Sequence, residues 1–291
     1  MDLPIPHPPT TLPEPFTLAL PDPQTVPVVF ASPHSGRDYP ADFVADARLD
    51  QLSLRRSEDG FVDELFAAAP RYGAPLLAAT FPRAFCDANR EKWELDPAMF
   101  EETLPPWVNT SSPRVGAGLG TIARVVALGE TIYRRKLRFA EAEQRMTGCW
   151  QPYHDRLHEL IGTTRQRFGT CLLIDCHSMP ALGTTEKART DFVLGDAHGT
   201  TCTAAATRLV ERVLSDLGYR VRRNDPYAGG YITRHYGRPR EGVHALQVEI
   251  ARGLYMDEAR LLKSTNFAAV QRDLGLLMAA LVRFAAEQLP G

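Results

Sequence analysis

Two apolar runs in this chain end alike, each on a histidine followed by a serine. Leu172 to Ile174 leads into Asp175-Cys176-His177-Ser178-Met179-Pro180, and Val26 to Ala31 leads into Ser32-Pro33-His34-Ser35-Gly36. A short apolar run bounded by polar and turn residues reads as a buried strand, and Pro180 keeps the later one from continuing. In open α/β sheets ligands gather outside the carboxyl ends of strands. An imidazole there either holds a metal or moves a proton, or it is simply a satisfied buried histidine. Two such endings in one chain favour a single site fed by both strands.

Other polar clusters follow the same logic. A third apolar run, Pro75 to Thr80, passes directly into Arg83, Asp87, Asn89 and Arg90. Two guanidiniums at a strand end suit a small carboxylate substrate, because arginine offers bidentate geometry to carboxylates. An Arg–Asp surface pair would use the same residues. Val243 to Ile250 alternates apolar and polar side chains and reads as a strand ending near Glu249. Asn224 to Gly237 reads as one long loop carrying Gly229, Gly230 and Arg234, and loops of that length in compact domains are usually functional. Ser57 is placed to cap a helix that would carry Asp59 and Asp63 on one face. Acidic residues in a first turn also complement the helix dipole.

Several tempting motifs carry less. His154 and His158 are four apart, but no Glu follows His154, so the zinc-protease pattern is missing and both read as surface helix histidines. Cys176 adjoins His177, yet neighbours on a strand point to opposite faces, which argues against a nucleophile–base pair. Gly118-Leu119-Gly120 lacks the Lys-Ser/Thr of a nucleotide loop.

The elements that would position these residues alternate strand and helix, which calls for one α/β domain with a mostly parallel or mixed sheet. Helices are expected from Thr131 to Phe168 with a break at Gln151-Pro152, from Thr200 to Leu217, and from Glu258 to Glu287. Residues 1–24 read as a proline-rich lead-in and 25–291 as the domain, with a flexible loop at Gly183-Thr184-Thr185. On such a sheet His34, Asp59, His177 and Glu249 converge on one edge. Two imidazoles and a carboxylate are the protein ligands of many catalytic zinc sites, and a further carboxylate can serve as general base.

Composition narrows the partners. In 291 residues, 44% apolar and 23% charged content is ordinary for a globular protein, and a net charge of −2 leaves no basic footprint for nucleic acid. No apolar run approaches the roughly 20 residues of a membrane span, and Met1 to Gln24 lacks the basic and apolar regions of a secretory signal. The 5 cysteines are scattered and read as reduced thiols of a cytoplasmic protein.

Taken together, the sequence resembles the N-formylglutamate amidohydrolase (N-formylglutamate deformylase) family. The resemblance runs through Pro33-His34-Ser35-Gly36, Asp59-Gly60-Phe61-Val62-Asp63, and Arg83 with Asp87-Ala88-Asn89-Arg90. It continues through Ile174-Asp175-Cys176-His177-Ser178-Met179, Gly229-Gly230-Tyr231-Ile232-Thr233-Arg234, and Gln247-Val248-Glu249-Ile250 with Tyr255-Met256. It spans about residues 26–260. Two motifs depart from the expected pattern at packing positions only, with Ala88 and Cys176 where leucines are expected.

The resemblance implies a phosphorylase/hydrolase-like domain similar to zinc carboxypeptidases. It implies that His34, Asp59 and His177 bind Zn2+ or another divalent transition metal, with Glu58 left as a rival to Asp59, and that Glu249 is the base. Arg83, Asn89 and Arg90 would bind substrate carboxylate, and Arg234 with Gly229-Gly230 would close over the ligand. The implied substrate is a small N-acyl amino acid dicarboxylate, N-formyl-L-glutamate, giving formate and L-glutamate in histidine degradation. An amidohydrolase for another N-acyl amino acid, a peptidoglycan amidase and a non-catalytic ligand-binding paralogue are the competing readings; the missing signal segment argues against the second.

Overall fold

Among the described residues a seven-stranded sheet runs through the centre of the molecule, its strands, numbered along the chain, lying side by side in the order first, third, second, fourth, seventh, fifth and sixth. Its strands are β1 (Phe16–Ala19), β2 (Val28–Ser32), β3 (Leu76–Ala79), β4 (Cys171–Met179), β5 (Phe192–Gly195), β6 (Val221–Arg223) and β7 (Val243–Ala251). The structure is a computed structural model describing residues 14–126, 129–182 and 189–289. The Gly183-Thr184-Thr185 loop and the lead-in before Glu14 lie outside the described residues. Strands β3, β2, β4 and β7 are mutually parallel, whereas β1 and β5 pair antiparallel with β3 and β7. The chain is thus the expected α/β domain with a mixed sheet between helices. One strand comes from inside the expected lead-in, since Phe16–Ala19 pairs with β3.

The two central strands show why the polar residues gather where they do. Along β4, Leu172, Ile174 and Cys176 face one apolar layer, with Leu246 and Val248 of β7 beside them. The helices α7 (Ala204–Asp216) and α9 (Phe267–Gln288) cover that face. Each such fully buried side chain contributes roughly 1.5–3 kcal/mol. On the other face Cys171, Leu173 and Ala245 pack under α6 (Gln151–Phe168). The same face then turns polar at Asp175, His177, Gln247 and Glu249, because strand side chains repeat every second residue. Parallel register places Asp175 opposite Gln247 and His177 opposite Glu249.

Several boundaries differ from the sequence reading. Ser57 caps no helix; its hydroxyl donates to Leu54 O, and α3 begins only at Val62 and ends at Leu65. Asp59 therefore lies in the turn before α3, held by its own N–H on His34 O at 3.0 Å, so it does not share a helix face with Asp63. Thr131 to Arg138 is not helical. Instead α5 (Phe139–Arg145) continues through a π turn, Met146–Trp150, into α6. Pro152 falls in the first turn of α6, where an absent N–H is tolerated, so the helix passes through without breaking. The loop after β6 is helical in its second half, as α8 (Tyr231–Tyr236). The last helix starts nine residues later than expected, at Phe267 in place of Glu258. Before it, Asp257 Oδ1 accepts from Ala259 N and Arg260 N, turning a two-stranded ribbon of Met256–Asp257 and Leu262–Lys263.

Candidate active site

Beyond the carboxyl ends of β2, β4 and β7, the side chains of His34, Asp59 and His177 meet. They are all buried, and their ligand atoms lie within 4.8 Å of one another. His34 Nδ1 is 3.4 Å and His177 Nδ1 2.9 Å from the same oxygen, Asp59 Oδ2. What turns both Nδ1 atoms inward is the pairing of the other ring nitrogens. His34 Nε2 donates to Asp87 Oδ1 at 2.7 Å, and His177 Nε2 donates to Asp175 Oδ1 at 2.9 Å. Carboxylate partners of this kind fix the tautomer of metal-ligating histidines and raise their basicity. Asp59 is fixed in turn: Arg252 Nη2 donates to its Oδ1 at 3.0 Å, leaving Oδ2 for the imidazoles. His34 Nδ1 is buried with no hydrogen-bond partner among the described residues, an arrangement that costs free energy unless something ligates it. The donor set therefore fits a divalent transition metal.

The charges support this. Burial pushes the His177 imidazole down, but the carboxylates of Asp175 and Asp59 outweigh it and hold it well above its ordinary value. Burial would raise the Asp59 carboxyl, and the bond from His177 together with the neighbouring His34 imidazole brings it well below the usual range. Asp87 is also held low, because Arg83, Arg90 and His34 overcome its burial. A divalent cation held by these residues would take the place of a proton among them. Glu58, the rival carboxylate, turns the other way into a two-pronged pair with Arg55, at 3.0 and 3.2 Å.

A cavity of about 320 Å³ opens onto these residues, lined among others by Arg83, Asn89, Arg90, Gly229, Gly230, Arg234 and Glu249. All the site residues expected from sequence thus lie at one place. Glu249 is buried beside His177, and burial, reinforced by Asp59 and opposed by His177 and Arg83, pushes its carboxyl up to about 7. Its Oε1 accepts from Gln247 Nε2 at 2.8 Å, while Gln247 Oε1 accepts from Gly230 N at 2.7 Å. Asn89 holds the same loop, its Oδ1 accepting from Ile232 N at 2.8 Å. A Cβ on Gly230 would overlap the Asn89 amide, so only glycine allows this approach.

The arginines differ in what they have left to give. Arg90 spends its Nε on Leu119 O and Nη1 on Asn89 O, with Nη2 3.7 Å from Asp87. Among the described residues Arg83 uses only Nη2, on Asp87 Oδ2 at 2.8 Å, and Arg234 only Nε, on Gly229 O. Residues 88–90 are themselves pinned from α6 and the π turn: Trp150 Nε1 donates to Arg90 O and His154 Nε2 to Ala88 O. His154 is thus a buried strut stacked on Trp150, not the surface residue expected; His158 is exposed.

Sequence reasoning gave no role to Asp175, Gln247, Arg252, Arg114, Trp150 and His154. Asp175 and Gln247 could have been found, since each lies two residues before a site residue and hence on its face. The others carry no local signal. Cys176 lies across the sheet from His177, and burial drives its thiol well above the ordinary value, which removes it as a nucleophile.

Comparison with known proteins gives a consistent answer. The model of the N-formylglutamate amidohydrolase family matches residues 26–256. An N-formylglutamate deformylase of Pseudomonas aeruginosa is 32% identical over 243 residues, 80% of this chain and 83% of the relative. The Pseudomonas putida N-formylglutamate deformylase is 28% identical over 240 residues, with the same coverage of each chain. Among solved structures, N-formylglutamate amidohydrolase from Ralstonia eutropha superposes with a TM-score of 0.88 at 42% identity, covering 94% of this chain and 98% of that one. A gene product of Agrobacterium tumefaciens, 18% identical, shares the fold with a TM-score of 0.67, over 93% of this chain and 94% of its own.

Proposed function

The chain belongs to the N-formylglutamate amidohydrolase family, and we propose that it is a metal-dependent deformylase, hydrolysing N-formyl-L-glutamate to formate and L-glutamate. The observation that carries this reading is the pair of imidazoles locked by Asp87 and Asp175 with both Nδ1 atoms facing Asp59 Oδ2, next to a buried glutamate in an arginine-lined cavity. His34, Asp59 and His177 would hold Zn2+ or a similar ion. A zinc-class ion supplies Lewis-acid polarisation of an amide carbonyl and acidifies water.

The chain's own residues do the rest. Glu249, with its carboxyl pushed up to about 7, takes a proton from the attacking water and returns it to the leaving amine of glutamate. Gln247 holds the Glu249 carboxylate in place through its bond to Oε1. Arg83, 22% exposed and with nitrogens to spare, binds substrate carboxylate and keeps the formyl carbon in register. Asn89, Gly229 and Gly230 form the wall against which the ligand lies, and Arg234, bonded to Gly229 O, closes over it beside them. Arg252 contributes by fixing Asp59 and not by touching substrate.

Formate release from N-formyl-L-glutamate, N-formyl-L-aspartate and N-acetyl-L-glutamate by the purified protein tests the substrate. Preference for the first is expected. Equal or better turnover of the acetyl compound would move the substrate to a different acyl amino acid.

A further inference from the structure

The cavity is also lined by Arg114, which lies outside every motif of the sequence reading. We propose that Arg114 is the specificity-determining residue that binds the side-chain carboxylate of the substrate, and that Arg90 serves as the strut that positions it. This rests on the reading of the site as a deformylase for a dicarboxylic N-acyl amino acid.

Three observations carry it. The first is availability. Arg90 and Arg252 also line the cavity, but each of their guanidinium nitrogens already faces a protein oxygen. Arg114 is exposed, and its guanidinium has no hydrogen-bond or ion-pair partner among the described residues. A free guanidinium in a pocket offers a carboxylate two parallel charge-assisted bonds.

The second observation is placement. Arg83 shares Asp87 with His34, one on each carboxylate oxygen, which puts it beside the reacting centre. Arg114 instead stands on the turn beyond Leu119, whose N–H donates to Arg114 O and whose carbonyl accepts from Arg90 Nε. Arg83 and Arg114 thus stand at different places along the cavity wall, as the two carboxylates of an N-acyl glutamate require. Arg83 takes the carboxylate next to the amide and Arg114 the one two methylenes further out.

The third is that the turn carrying Arg114 is built. Helix α4 (Pro113–Gly116) is capped by Ser112, whose Oγ accepts from Val115 N at 3.1 Å and donates to buried Glu94. Leu119 N donates to Arg114 O at 2.8 Å, and Arg90 Nε donates to Leu119 O at 2.8 Å. A side chain on Gly120 would collide with Glu94 O, so the glycine turn is there to close this support. Arg90 thus reaches Arg114 through Leu119.

The test compares N-formyl-L-glutamate with N-formyl-L-glutamine, its neutral counterpart of equal length, in wild type, Arg114→Ala, Arg114→Lys and Arg90→Ala. In Arg114→Ala the preference for the glutamate compound, as the ratio of kcat/KM values, should fall about 10- to 100-fold, the range for losing a charged hydrogen-bond pair. The fall should lie in KM, and Arg114→Lys should regain part of it. Arg90→Ala, which removes the support under the turn that carries Arg114, should lower the same ratio, by less than Arg114→Ala does. A ratio in Arg114→Ala within twofold of wild type, or an equal loss on both substrates, overturns the inference. If wild type releases no formate, the deformylase reading fails, and calorimetric binding of L-glutamate against L-glutamine decides about Arg114. A glutamate preference lost in Arg114→Ala then upholds its role, and its absence in wild type overturns it.

Discussion

Each imidazole of the candidate centre has one nitrogen spent on a carboxylate and the other aimed at Asp59, and that division of labour makes predictions about single atoms. Asp87→Asn and Asp175→Asn keep the shape but replace the acceptor charge behind His34 and His177. Each should weaken zinc binding by roughly 10–100-fold, measured by chelator competition; unchanged affinity would mean the carboxylates do not support the ligands. Glu249→Gln should cut kcat by about 10²–10⁴-fold while zinc content stays at the wild-type level. Full activity in that variant would remove Glu249 as base. Much of this was legible beforehand. His34, His177 and Glu249 stand at strand ends, and period-two alternation puts Asp175 with His177 and Gln247 with Glu249. The choice of Asp59 over Glu58 was not legible. It depends on a backbone bond to His34 O and on Arg55 taking Glu58 away, contacts that no local pattern encodes.

At the scale of elements, the helix running from Phe139 to Phe168 sets the arginine loop through two donors, Trp150 and His154. His154 also accepts from the Tyr236 hydroxyl, so it ties α6 to α8 as well as to the loop. Burial, partly offset by the bond to Ala88 O, lowers the His154 imidazole from the usual 6.5 to about 4. A histidine lowered by folding stabilises the folded state above its unfolded value, and that contribution drains away as pH falls from about 6.5 through about 4. It amounts to roughly 3 kcal/mol in total. His154→Gln should therefore unfold more readily than wild type at pH 7.5, with the gap closing toward pH 4.5 in chemical denaturation. A gap that does not change with pH would contradict a neutral buried His154. Helical period alone could not reveal this strut, since Tyr236 and Ala88 lie 82 and 66 residues away. The π turn and the delayed start of the last helix were hidden for a different reason: apolar residues at helical spacing continue across both boundaries.

Over the whole molecule, the apolar strand runs and their order with the helices announced the mixed α/β sheet, and the polar strand ends announced which edge would carry the site. Among the described residues no helix is long and apolar enough to cross a membrane. Everything converges on one cavity where ligand-like nitrogens, a buried carboxylate and free guanidiniums meet. The most direct test is formate release from N-formyl-L-glutamate by protein stripped with a chelator and then titrated with zinc. Activity should be lost on stripping and return to a plateau at about one zinc per chain, as one His34-Asp59-His177 centre requires, and Asp59→Asn should fail to recover it. Full activity in the stripped protein would contradict a metal-dependent mechanism at this centre.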